Sequence, residues 1–141
     1  MSSFDGIIQQ YPFFRVDNFE ANMDGFLSHG HSDHTTNVRL CRLLFCTEIT
    51  RRYIESLNIY KGPVVTMALN QRITVSGVKV TAFDAKHCPG AVMFLFQGPN
   101  GTCLYTGDTR YYASQLPELC FPVDHLYLGK RDLSRYNVCP Q

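Results

Sequence analysis

The run LSHGHSDHTT, residues 27–36, constrains this chain more tightly than any other stretch. It puts His29, His31, Asp33 and His34 within six residues of one another. On a strand, His29, His31 and Asp33 would share one face while His34 pointed away. On a helix, His29 and Asp33 would share a face while His31 and His34 formed another. Neither regular element gathers all four. A strand that ends in a loop can do so, with Gly30 relaxing the backbone and the next helix starting near His34 or Thr35. Such a loop can fold the four side chains around two neighbouring cation positions. Imidazole nitrogen and carboxylate oxygen are the donor types that suit Zn²⁺. The plainer reading is a polar turn that caps a helix. Three of the chain's five histidines in one short run weigh against it.

Two more candidates stand at strand ends. His87 lies in DAKHCPG, between an apolar alternating run and Pro89-Gly90, and Asp108 lies in LYTGDTR, directly after a hairpin. Either alone reads as well as a solvated loop histidine or a turn-forming aspartate. Together they fit several strands that deliver ligands to one rim of a sheet. His125 stands just before a short strand and reads as a packed or exposed histidine.

The rest of the chain reads as short elements. YPFFRVD (11–17), GFLS (25–28), RLLFCT (42–47) and HLYLG (125–129) are apolar and extended. TEITRRYIESLN (47–58) is the clearest helix, with a Thr cap and Ile49, Tyr53, Ile54 and Leu57 at helical spacing. ITVSGVKVTAFDA (73–85) is two strands broken near Ser76 and Gly77, and residues 90–108 form a hairpin around GPNG. Strands dominate, and the apolar runs predict sheets covered on at least one face.

With 141 residues and 45% hydrophobic side chains, one compact domain is expected. No stretch approaches the ~18 uncharged apolar residues of a membrane span, and the start lacks a basic segment followed by an apolar one. A soluble, non-secreted chain is the expectation, with no membrane partner. Six cysteines sit mostly in apolar runs without a CxxC pair, which reads as buried free thiols in a reducing compartment. A net charge of +1 neither favours nor excludes a polyanion partner.

Taken together, HGHSDH, HCPG, TGD after a hairpin and the Asp in FRVDNF resemble the metallo-β-lactamase superfamily. More narrowly, KHCPGAVMFLFQGPNGTCLYTGDTR is similar to the branch with an inserted β-CASP region, and within it to the DNA cross-link-repair nucleases. The resemblance covers residues 1–128 and implies a mixed α/β fold, the N-terminal part of an αββα sandwich. It implies that His29, His31 and His87 hold a first metal, that Asp108 bridges two metals, and that Asp33 and His34 face the second. Asp17 would orient the histidine loop from behind. The implied cofactor is Zn²⁺, with Mg²⁺ or Mn²⁺ as alternatives. The implied chemistry is phosphodiester hydrolysis on single-stranded DNA ends, overhangs or hairpins, with Asp33 as proton acceptor and Asp17 and Asp108 as supporting carboxylates. End-joining repair proteins as partners and a nuclear location follow from the resemblance only.

The chain also departs from that family. After HLYL the family has an Asp, whereas this chain has Gly129 and then KRDLSRYNVCPQ, a tail at 129–141 without resemblance. Gly-Lys admits codons that open an intron, so the tail is compatible with translated intron. The β-CASP region and the second half of the lactamase fold are not in the sequence. The first metal position would be complete and the second incomplete, with weak nuclease activity at most. Two other functions fit the same residues: an inactive zinc-binding fragment that serves as a binding module, or a small-molecule metallo-hydrolase.

Overall fold

The computed structural model describes residues 4–85, 89–107 and 122–128. Strands β1 (Phe14–Val16), β2 (Asp24–Phe26), β3 (Leu43–Cys46) and β4 (Val64–Thr66) pair in that order as a parallel sheet. Strands β5 (Arg72–Val75), β6 (Val78–Asp84), β7 (Val92–Gly98), β8 (Gly101–Tyr105) and β9 (His125–Tyr127) make a second sheet, antiparallel except for the β8–β9 pair. Helix α1 (Glu48–Leu57) follows β3, and 3₁₀ turns span Ser32–His34 and Val38–Leu40. The fold is mixed α/β with two sheets, as the resemblance implies.

Turn chemistry sets the hairpins. Val75 pairs with Val78 across Ser76 and Gly77, whose φ values are 51° and 81°. Two positive φ values in a two-residue turn match the twist of the flanking strands. GPNG closes β7 onto β8 with Gly98 opposite Gly101. At that turn Tyr11 acts as a clasp: its hydroxyl donates to Gly101 O at 2.6 Å and accepts from Asn100 N–H at 3.1 Å.

Side-chain alternation along β7 explains its unbroken apolar run. Val92, Phe94 and Phe96 enter the core between the sheets, whereas Met93 and Leu95 join Ala85, Ala91 and Leu104 in a separate cluster. Both faces of this strand are therefore covered. Phe26 centres the inter-sheet core, with its ring 5.0 Å from Phe14, 4.7 Å from Phe45 and 5.4 Å from both Phe94 and Phe96. Each such ring pair adds about 0.5–1.5 kcal/mol beyond area burial. On the other face of the parallel sheet, Leu27, Leu44 and Cys46 pack with Ile54 of α1. Cys41, Cys46 and Cys103 are free and buried, and burial pushes their thiols up to about 11, 12 and 11.

Helix α1 has the expected bounds but turns differently from its apolar spacing. Thr47 caps it, accepting from Thr50 N–H at 3.3 Å, and Asn58 closes it at φ 60°. Only Thr50 and Ile54 are buried, while Ile49, Tyr53 and Leu57 are 54%, 46% and 47% exposed. The cause is the hydroxyl pair Thr47 and Thr50, which donates to Gly90 O at 3.1 and 3.3 Å and ties this side of the helix to the turn before β7. Strand β4 is not visible in the sequence, because Val64–Thr66 is a short and mostly exposed edge.

Glu48 sits in the first turn of α1, where Arg51 and Arg52 hydrogen-bond its carboxylate and hold it down at about 2. A carboxyl depressed from 4.5 stabilises the fold above its ordinary value, and that contribution is lost as pH falls through about 2. Glu48→Gln is therefore expected to melt below wild type at pH 6 and alongside it near pH 2. Thermal unfolding followed by circular dichroism at both pH values checks this.

Candidate metal centre

β1 and β2 run parallel and end at Val16 and Phe26, so the residues after them emerge at one rim, where α/β sheets place their sites. Asp17 turns immediately after β1 into the left-handed region, φ 60°, which Asp adopts more readily than most non-glycine residues. Its side chain is fully buried. Oδ1 accepts from Ser28 N–H at 2.7 Å, and Oδ2 accepts from Ser28 Oγ at 2.6 Å, His34 Nδ1 at 2.7 Å and Tyr105 OH at 2.7 Å. Four donors thus converge on this one carboxylate, one on Oδ1 and three on Oδ2.

Proton counting from this carboxylate assigns the rings. In the neutral ring of His34, Nδ1 carries the proton given to Asp17, so Nε2 is the unprotonated nitrogen. Ser28 Oγ spends its single proton on Asp17 and can only accept from His29 Nδ1, 3.2 Å away. His29 Nε2 is then unprotonated as well. It stands 3.0 Å from His31 Nδ1. Two nitrogens on one tetrahedral zinc lie about 3.3 Å apart, given bonds of about 2.0–2.1 Å. His31 Nδ1 carries the proton between the two rings, and once that proton is given up the pair has nearly the separation that one such ion requires.

Asp33 lies in the 3₁₀ turn Ser32–His34, its side chain 58% exposed and its Oδ2 3.6 Å from His34 Nε2. The structure brings Asp17, His29, His31, Asp33 and His34 to one place. His87 and Asp108 lie outside the described residues, and among the described residues no group of three metal-donor side chains is formed. The backbone beside both is described. Val92 N–H donates to Ser28 O at 3.0 Å, and a Cβ added at Gly107 would fall 3.3 Å from Ser28 Oγ.

The histidine loop borders an open trough. One side, about 290 Å³, is lined by Gly30, His31, Ile49, Thr50, Tyr53 and Pro89. The other side, about 560 Å³, continues past Asp33 and Thr35 to Leu57 and Ile59. The ring of Tyr53 lies against Gly30, where a Cβ would come within 2.3 Å of it. Sequence reasoning missed Ser28, Tyr105 and this trough. Ser28 directly precedes His29 and Tyr105 stands three residues before Asp108, positions that could have drawn attention to both.

The family model described as "Beta-lactamase superfamily domain" matches residues 4–130, and the chain belongs to that superfamily. Within it, the chain is 37% identical to Protein artemis of Rattus norvegicus over 138 aligned positions, covering 78% of this chain and 20% of that protein. It is 38% identical to 5' exonuclease Apollo of Gallus gallus over 122 positions, covering 82% and 27%. The chain thus spans only about a fifth to a quarter of these relatives. Zn²⁺-bound PqqB of Methylobacterium extorquens superposes with a TM-score of 0.63 at 17% identity, covering 84% of this chain and 50% of that one. The metallo-beta-lactamase fold protein YhfI of Bacillus subtilis gives 0.60 at 19%, covering 73% and 47%. These two likenesses concern the fold alone. No helix among the described residues is long and apolar enough to cross a membrane.

Proposed function

We propose that this chain is the metal-binding N-terminal portion of a DNA nuclease that hydrolyses phosphodiesters at single-stranded ends, overhangs or hairpins. The observation that carries the reading is the pair His29 and His31, the first held to Asp17 through Ser28, with Asp33 exposed on the same rim. Identity to a 5' exonuclease and to Protein artemis supports it. Residues 1–128 form the lactamase part in this reading, and 129–141 are a tail outside it.

His29, His31, His87 and Asp108 would hold a first Zn²⁺, and Asp33 and His34 would face a second position, where Mg²⁺ or Mn²⁺ also suits a carboxylate. Bound there, the ion would lower the pKa of a water and polarise a phosphoryl oxygen. Asp17 keeps His29 and His34 in the tautomers that present Nε2. Asp33 would accept the proton released by the attacking water. The wall formed by Tyr53 and Ile49 gives an unstacked base an apolar resting place beside His31. Such a nuclease would work in the nucleus, in double-strand-break and cross-link repair, alongside end-joining proteins.

The test is digestion of 5′-labelled single-stranded DNA by the purified chain, with Zn²⁺, Mn²⁺ or a chelator, beside Asp33→Ala. Slow cleavage that stops with chelator and with Asp33→Ala is expected. Cleavage indifferent to both would end the reading.

A further inference from the structure

We propose that Tyr105 is a positioning residue for the metal centre, holding the Asp17 carboxylate where it can orient His34 directly and His29 through Ser28. The inference rests on the metal-site reading above. Tyr105 is fully buried, and its hydroxyl donates to Asp17 Oδ2 at 2.7 Å. The other three donors to this carboxylate come from Ser28 and His34, on the histidine side of the molecule. Tyr105 alone among the four reaches across from the second sheet, at the end of β8.

That placement gives the phenol two consequences. It fixes the carboxylate against a second sheet, so the rings hanging from Asp17 inherit a position referenced to both sheets. It also ties β8 to the site immediately before Thr106, Gly107 and Asp108, the strand exit that would deliver the bridging carboxylate. Convergent ligands need placement within about 0.5 Å and 10–20°. Removing the hydroxyl leaves Oδ2 with Ser28 and His34, both attached to the loop being positioned. The loop would then orient itself.

Tyr105→Phe isolates this role, because a phenyl ring keeps the volume and the 4.8 Å contact with Phe4. Zinc affinity, measured by competition with a chromophoric chelator, is expected to fall about 10–100-fold. The metal-free Tm is expected to stay within about 4 °C of wild type, the scale of one lost hydrogen bond. In metal-free protein, the His34 Nδ1–H resonance in ¹⁵N-imidazole NMR is expected to broaden. Unchanged zinc affinity with a sharp His34 signal would overturn the proposal, and so would a lower Tm with unchanged affinity. Should wild type bind no zinc, the metal-site reading fails, and the His34 signal still decides for or against Tyr105.

Discussion

Asp17→Ala is expected to destabilise the fold by about 3–5 kcal/mol, the range for removing one partner from a buried charged network. The substitution leaves the hydroxyls of Ser28 and Tyr105, the Ser28 N–H and His34 Nδ1 without their acceptor, at positions with exposures of 1% or less. Each buried donor left unsatisfied costs about 1–3 kcal/mol before relaxation. Alanine is also less common than Asp at a backbone φ of 60°. Thermal unfolding in chelator should show a Tm lower by ~10 °C or more. Asp17→Asn separates the two causes, because Asn tolerates this backbone but turns an NH₂ toward existing donors. A metal-free Tm for Asp17→Ala within about 3 °C of wild type would show that the carboxylate is not the anchor described.

His31→Ala should do the opposite: leave the fold intact and remove the metal. His31 is exposed on its loop, and truncation at such a position usually shifts stability by about 0.5 kcal/mol or less. As one half of the 3.0 Å nitrogen pair, it is a direct ligand in the proposed reading. Zinc affinity should fall by more than the ~100-fold upper range for residues that act behind the ligands. Metal titration of His31→Ala, with His125→Ala as a control distant in sequence, measures this. Retention of zinc affinity within tenfold would dissociate His31 from the centre.

The histidine run was legible because chemistry concentrated in six residues leaves a trace that survives any local conformation. The hairpins were legible too, since Ser76-Gly77 and GPNG carry backbone demands that few residues meet. Asp17 could be singled out only through resemblance. Nothing in FRVDNF announces a carboxylate with four donors, because those donors come from positions 11 to 88 residues away. The rotation of α1 was hidden for a related reason. Its apolar positions define a stripe, but two threonine hydroxyls bonded to Gly90 O, 40 and 43 residues distant, decide which side faces inward. Short-range pattern reads what a segment can do, and long-range hydrogen bonding chooses among those options.

The clasp at Tyr11 and the ring of Phe4 over Tyr105 have a bearing on solvent. Residues 4–11 lie along the second sheet, with Gln9 N–H bonded to Tyr127 OH and Gln10 Oε1 accepting from the same hydroxyl. Through Phe4, Ile8 and Tyr11 they form an apolar roof on the Tyr105 ring, whose hydroxyl reaches Asp17. A version of the chain that began at Phe14 would lift that roof, admit water to the carboxylate and weaken every bond it accepts. The opening residues thus govern how dry the centre is, although their one carboxylate, Asp5, is bonded to Ile7 N–H within the segment itself.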